Sequence, residues 1–337
     1  KNPQSKAAQI AMRLRSAHRL CLTGTPVENH LGDLWSLFSI ALPGALGDRR
    51  QFARLFRGPI EKKGDAVRAS LLAERIRPFL LRRTKEAVAT ELPEKTEIVQ
   101  RVELVGAQRD LYETIRVTMQ RRVRDEIEQR GLARSQIVIL DALLKLRQVC
   151  CDPRLLPVGL RKTAESVKFD FLFEMLPQLV EDGRRVLLFS QFTSMLDLIA
   201  PALNARDIPF VVLTGKTMDR ASVVKRFQSG EVPVFLISLK AGGTGLNLTA
   251  ADTVIHYDPW WNPAVERQAT DRAHRIGQTQ HVFVYKLIGA GTVEEKIVEL
   301  QTRKAALAAA IFSEKGAAGA RFSVEDVERL FAPLEVN

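Results

Sequence analysis

Between residues 186 and 287 the chain alternates short apolar runs with amphipathic stretches, and this alternation restricts the fold more than any other feature. The runs Val186–Ser190, Pro209–Leu213, Val234–Ser238, Thr253–Tyr257 and Val282–Leu287 are each short and dominated by Val, Leu, Ile and aromatic residues, as expected of buried strands. Ser194–Asp207 and Asp219–Ser229 place apolar residues at helical spacing, and Ala264–Ile276 reads as a third helix. Strands and helices in this order require right-handed crossovers. They predict an α/β lobe, one parallel sheet with helices on both faces. No dinucleotide-binding glycine fingerprint occurs.

In open parallel sheets ligands sit beyond the carboxyl ends of the strands. Val234–Ser238 runs into Lys240, Ala241, Gly242, Gly243, Thr244, Gly245, Leu246 and Asn247, where glycines permit close approach and backbone amides can cradle a phosphate. The same stretch also fits a plain chain reversal. Thr253–Tyr257 ends at Asp258 and leads into Pro259, Trp260, Trp261, Asn262 and Pro263; the tryptophans suit either packing or a ligand face. Next comes ERQATDRAHRIGQ, Glu266–Gln278, whose spacings of three, four and seven place Gln268, Asp271, Arg272 and Arg275 on one face of the expected helix. Arg272 and Arg275 then suit the spreading negative charge of a phosphoryl group in transfer, and a solvated ion-paired face fits the same spacing.

LTGTPVEN at Leu22–Asn29, LLFSQF at Leu187–Phe192, KAGGTGLNL at Lys240–Leu248 and DRAHRIGQ at Asp271–Gln278 together resemble the Swi/Snf-type ATPase family, helicase-like motors of superfamily 2 that move along duplex DNA. The resemblance runs over nearly the whole chain in the family's order. It implies two RecA-like lobes with ATP and Mg²⁺ in the cleft between them and double-stranded DNA across both. It assigns Arg272 and Arg275 to the ATP γ-phosphate as arginine fingers, with Gln268, Asp271, Gly245, Gly24 and Thr25 supporting the nucleotide site. It places Ser190, Gln191, Thr214, Gly215, Lys240, Gly242, Gly243, Thr244, Trp260 and Asn262 against DNA. Backbone contacts of this kind suit a translocase, which must grip any sequence.

No GxxxxGK followed by Ser or Thr occurs, and no acidic box precedes LTGTP. The expectation is a carboxy-terminal part beginning shortly after that box at KNPQS, inactive as an ATPase alone, with the nucleotide and its metal held mainly by an amino-terminal lobe outside the chain. The predicted organisation is the tail of the first lobe at 1–30, a helical protrusion at 31–98, an inter-lobe connection with a second helical insertion at 99–165, the second lobe at 166–290 and a brace helix with tail at 291–337. LRRTKEAVATELPEKTE at Leu81–Glu97 and LLKLRQVCCDP at Leu143–Pro153 match the family's helical elements, although Asp152 stands where His is frequent. Arg82, Arg83 and Lys85 fit contacts to DNA or to the opposing lobe, and equally a structural ion pair. The brace is drawn from the stripe Val293, Ile297, Leu300, Leu307 and Ile311, loosening at Gly316–Gly319.

Charge is uneven: residues 1–168 carry 32 basic and 19 acidic side chains, net +13, whereas residues 169–337 carry 18 and 20, net −2. A basic helical part beside a neutral lobe suggests a phosphate-facing surface, and solubility charge explains the same numbers. Three cysteines in no paired or CxxC spacing and five scattered histidines predict no metal site and a reducing compartment. No run approaches the length of a membrane span. Two functions from different classes remain: part of an ATP-driven duplex-DNA translocase that remodels protein–DNA complexes, with a DNA-bound protein as a possible target, or a non-catalytic DNA- or partner-binding module. The Arg- and Ala-rich composition points to a prokaryote and the nucleoid, and the nucleus would be the site in a eukaryote.

Overall fold

A computed structural model describes residues 3–23, 31–81, 83, 85, 89, 91–132, 134–160, 165–241, 245–312 and 324–334, without the side chains of 62, 63 and 303–312. The chain divides into two compact units.

One unit comprises residues 1–84 with 262–264 and 300–322. Its helices are α1 Lys6–Arg13, α2 Leu31–Ala41, α3 Arg49–Phe52, α4 Gly58–Lys63 and α5 Ala66–Ile76. Ser5, Asp48 and Asp65 cap α1, α3 and α5 by accepting backbone N–H bonds that would otherwise go unmet. Leu34, Phe38, Phe52, Phe56, Ile60, Ala69 and Leu72 bury a common core. Trp35 donates its indole N–H to Gly47 O at 3.0 Å, which fastens the turn after α2. The segment before the LTGTP motif is not helical beyond Arg13, and its apolar side chains stand in solvent: Leu20 is 83% exposed and Leu22 88%. Gly24 and Thr25 lie outside the described residues.

The other unit, residues 85–261, 265–299 and 323–337, holds a six-stranded sheet in the order β1-β6-β5-β2-β4-β3, parallel throughout. The strands are β1 Lys95–Val102, β2 Val186–Ser190, β3 Phe210–Leu213, β4 Val234–Ser238, β5 Thr253–His256 and β6 Val282–Gly289. Five coincide with the apolar runs, within a residue or two at the ends. The sixth, β1, lies outside those runs, and the boundary expected at residue 98 falls inside it. It pairs with β6 from Lys95 opposite Val282 to Val102 opposite Gly289. As an edge strand with Lys95, Glu97 and Arg101 interleaved among Ile98, Val99 and Val102, it lacks the continuous apolar signature of the buried strands.

Successive side chains of a strand face opposite sides, so Leu187, Phe189, Phe235, Ile237 and Val254 enter one core layer while Val186, Leu188, Val234, Leu236 and Ile255 enter the other. The helices α8 Val167–Glu181 and α9 Thr193–Asn204 bring Leu172, Leu176, Met195, Leu196 and Ile199 to the second layer, and α10 Arg220–Gln228 brings Phe227 to the first. Two long helices, α6 Gly106–Arg130 and α7 Gln136–Cys151, pack against each other, and α7 buries Leu143, Leu146, Val149, Cys150 and Cys151. Among the described residues no helix is long and apolar enough to cross a membrane, and no group of three His, Cys, Asp or Glu is arranged to hold a metal ion.

Candidate functional site

The strands β3, β4, β2 and β5 are neighbours and run the same way, so the segments that follow them emerge at one edge. That edge carries Thr214–Gly215 after β3, Lys240 after β4, Gln191 after β2 and Asp258–Trp261 after β5. The sequence motifs are thus brought together as expected for ligand sites of open sheets. At the β3 end a tight turn forms: Thr217 N donates to Thr214 O at 3.2 Å, and Lys216 N donates to the Thr214 hydroxyl at 3.2 Å. Gly215 and Lys216 are exposed there, as is Lys240 after β4. Gly242, Gly243 and Thr244 lie outside the described residues, while Gly245, at φ +47°, holds a left-handed conformation that suits glycine.

One expected DNA contact is corrected. Ser190 is completely buried, and its hydroxyl donates to Asp258 Oδ1 at 2.6 Å while accepting from Phe192 N at 3.1 Å. Its hydroxyl therefore serves the protein's own loops and does not face a ligand. Asp258 also accepts from Gln191 N at 3.2 Å and faces the guanidinium of Arg147 at 3.7 Å. Burial pushes the Asp258 carboxyl up to about 6, against the opposing pull of Arg147 and of the Ser190 hydroxyl. Gln191 is half-buried, and its side-chain N–H₂ is a buried donor with no acceptor. The two tryptophans are both half-buried. Trp260 packs on the first core layer and donates its backbone N–H to Glu266 at 2.6 Å, whereas the Trp261 ring lies 5.6 Å from the Arg147 guanidinium. Asn262 accepts from Ala264 N at 3.0 Å, capping the helix α11 Pro263–Thr270, whose first residue is a proline.

The helix expected to run to Ile276 stops at Thr270, so Gln268 lies on α11 while Asp271, Arg272 and Arg275 lie in the turns beyond it. The bonding pattern gives the reason. Arg272 N and Ala273 N reach back only three residues, to Ala269 O and Thr270 O, and Arg272 O is taken by Leu248 N at 3.0 Å instead of by the next helical turn. Gly277, at φ +98°, then turns the chain, and the Gln278 amide donates to Ala251 O at 2.7 Å and Ala273 O at 3.0 Å to close the segment. The finger candidates are therefore tied to the glycine-rich stretch after β4: Arg275 also donates to Leu246 O at 3.3 Å.

Both guanidiniums are half-buried and, among the described residues, neither forms an ion pair. Arg272 Nε is buried without an acceptor among the described residues. Burial, then the like charge of Arg275, lowers the Arg272 pKa, with Asp271 partly offsetting them. The carboxylate of Asp271, expected to support the nucleotide site, holds Lys85 at 2.5 Å, and the same ammonium donates to His274 O at 2.6 Å. His274 Nε2 lies 2.9 Å from Pro93 O. The ion-pair alternative for Lys85 is the one observed, and it fastens the segment after α5 to the arginine-bearing turns.

A buried polar group that sequence reasoning missed supports this edge. Lys168, completely buried on α8, donates to Tyr257 O at 3.1 Å, Leu287 O at 3.0 Å and Glu294 Oε2 at 2.5 Å. Glu294, on α12 Val293–Phe312, also accepts from Gly289 N at 2.8 Å. Together they tie the ends of β5 and β6 to two helices. In the sequence each reads as an ordinary surface charge.

The description "SNF2-related domain" matches residues 1–155 and "Helicase conserved C-terminal domain" matches residues 167–277. The chain is 39% identical over 98% of its length to YwqA of Bacillus subtilis, of which it covers 36%, so it spans about a third of that relative. Two solved structures of the Sulfolobus solfataricus SWI2/SNF2 ATPase core are each 34% identical with TM-score 0.58. One covers all of this chain and 69% of the core; the other, in complex with dsDNA, covers 99% and 71%. With its motif order, its parallel RecA-like sheet and these relatives in agreement, the chain belongs to the SWI2/SNF2 family of helicase-like ATPases.

Proposed function

We propose that this chain supplies the arginine fingers and part of the DNA grip of an ATP-dependent double-stranded DNA translocase that remodels protein–DNA complexes. The carrying observation is the pair Arg272 and Arg275, two half-buried guanidiniums that form no ion pair among the described residues, one with a buried Nε that has no acceptor among them. A buried donor left unmet costs about 1–3 kcal/mol, and a polyphosphate is the ligand whose charge and oxygens would offset that cost. ATP with Mg²⁺ fits this donor set, and when bound it would supply the phosphoryl group whose developing charge the arginines meet. Gln268 and Gly245 stand beside them as supports, and Asp271 acts at one remove by holding Lys85. Gln191, Thr214, Gly215, Lys240, Trp260 and Asn262 form the proposed duplex-facing edge, extended by the motif to Gly242, Gly243 and Thr244. The Ser190 hydroxyl is left out of it. The dsDNA-bound Sulfolobus relative supports duplex DNA as the substrate.

Because the 337 residues contain no GxxxxGK followed by Ser or Thr, we further propose that this chain does not hydrolyse ATP unaided. A second reading, which that absence would favour only in a complete gene product, is a non-catalytic module that binds DNA or a partner. ATP turnover by the full-length protein and by this chain, each with and without duplex DNA, decides between them. Duplex-stimulated turnover is expected in the full-length protein and none in the chain alone. A full-length protein that binds duplex yet never hydrolyses ATP would establish the binding-module reading.

A further inference from the structure

Arg147 sits on α7, more than a hundred residues from the loop after β5, yet it is only 2% exposed and every group it meets belongs to the sheet's carboxyl edge. It donates to Pro259 O, faces Asp258 Oδ2 at 3.7 Å, and lies 5.6 Å from the Trp261 ring and 5.9 Å from the Phe192 ring. Those distances are within the range of cation–π attraction. Its four partners lie in two loops, residues 190–192 and 258–261, which Asp258 already joins through Ser190 Oγ and Gln191 N. A buried cation is an expensive way to fill space, and a hydrophobic side chain of similar volume would usually stabilise the core as well or better. The arginine fork does something that an apolar residue cannot: it addresses a carbonyl, a carboxylate and two rings at once, and so fixes the height and tilt of both loops.

We infer that Arg147 is a positioning residue for duplex-DNA engagement, holding the Asp258–Trp261 loop against Gln191 and Phe192, with Trp261 as part of the clamp, so that Gln191 and Trp260 meet the duplex as one preset surface. The inference rests on the DNA-gripping reading above. It assigns the helix pair α6–α7 a part in duplex affinity that requires no contact between Arg147 and DNA. A lysine at this position would keep a charge for Asp258 and lose both the fork and the ring stacking.

The test uses the full-length protein with Arg147→Lys and, separately, Trp261→Leu, which removes a ring but leaves the ion pair. Binding of a labelled duplex is read by fluorescence anisotropy, and turnover is read against duplex concentration. Arg147→Lys is expected to raise both the duplex Kd and the half-saturating duplex concentration about tenfold, with maximal turnover within about twofold of the parent. Trp261→Leu should move the same two quantities in the same direction. Unchanged duplex affinity in Arg147→Lys overturns the inference, as does a loss confined to maximal turnover and melting temperature, the signature of packing alone. If Arg147→Lys does not fold, Trp261→Leu decides: weaker duplex binding upholds the inference and equal binding overturns it. A parent whose turnover ignores duplex refutes the proposed function separately, and anisotropy still reads Arg147 directly.

Discussion

The sheet's carboxyl edge presents arginines in two environments. Arg147 is buried and its guanidinium is engaged by Asp258, Pro259 and two aromatic rings, although its Nε has no partner among the described residues, while Arg272 and Arg275 are half-buried and form no ion pair among the described residues, burial and then the like charge of Arg275 lowering the Arg272 pKa against the pull of Asp271. Proteins that bury a cation for architecture surround it with acceptors, because an uncompensated buried charge destabilises by several kcal/mol. Two like charges side by side are costly to bury for architecture alone, and this difference is the ground on which we propose Arg272 and Arg275 as ligand-binding arginines and Arg147 as a positioning one.

The sharpest way to break that comparison is to remove Arg275, one of the two proposed fingers. In the full-length protein Arg275→Ala is expected to lower duplex-stimulated ATP turnover by about three to five orders of magnitude while leaving duplex binding nearly intact. Steady-state ATPase assays with anisotropy measure both, and near-normal turnover would return Arg275 to an ordinary turn residue.

On the architectural side the largest effect belongs to Lys168. Lys168→Met leaves Glu294 as a buried, unpaired charge, and an unfolding free energy lower by about 3–5 kcal/mol is expected from denaturant titration. The double variant Lys168→Met with Glu294→Gln should recover most of that loss, because it removes the orphaned charge. Failure to recover would mean that the pair is more than mutually compensating.

Asp258 gives a pH signature. Its folded carboxyl is raised to about 6, above the ordinary carboxylate value, so between roughly pH 4 and 6 the folded state binds a proton that the unfolded state has released. This group therefore makes stability fall as pH rises across that window, with no further change above it. Asp258→Asn should flatten that part of the stability profile relative to the parent, measured as denaturation midpoint against pH; parallel profiles would sink the assignment.

The smallest stability effect is expected at Lys85. Its pair with Asp271 is about a third to two-fifths exposed, so Lys85→Ala should cost about 1 kcal/mol or less. Turnover should fall by more than that loss implies, since the ammonium also holds the His274 carbonyl within the arginine-bearing turns. A turnover loss no greater than the stability loss would make Lys85 a surface ion pair and nothing else.

Much of this molecule is legible from its residues, for identifiable reasons. The four inner strands announce themselves because a parallel strand covered on both faces must be apolar at nearly every position, and Val186–Ser190 and Val234–Ser238 are buried along their whole length. The two edge strands differ: β3, FVVL, is apolar throughout and legible, whereas β1, KTEIVQRV, is largely exposed and interleaves Lys95, Glu97 and Arg101, so it lacks a strand's apolar run. The end of α11 hides for a different reason: Asp271–Ile276 keeps helical composition, and the helix is broken by a bond from Leu248, which local sequence does not contain. The environment of the Ser190 hydroxyl is not legible in the motif, because its partner Asp258 is buried beside it by the adjacent strand.

The sequence by itself determined the alternation, the sheet it builds, the motifs at its carboxyl edge and the family, since these depend on periodicity and on the order of short local patterns. Only the tertiary structure decided which charges are structural and which are left unmet. That distinction depends on groups far apart in the chain, Arg147 with Asp258, Lys168 with Glu294 and Lys85 with Asp271, and a side chain's electrostatic cost is set by the neighbours that folding brings to it.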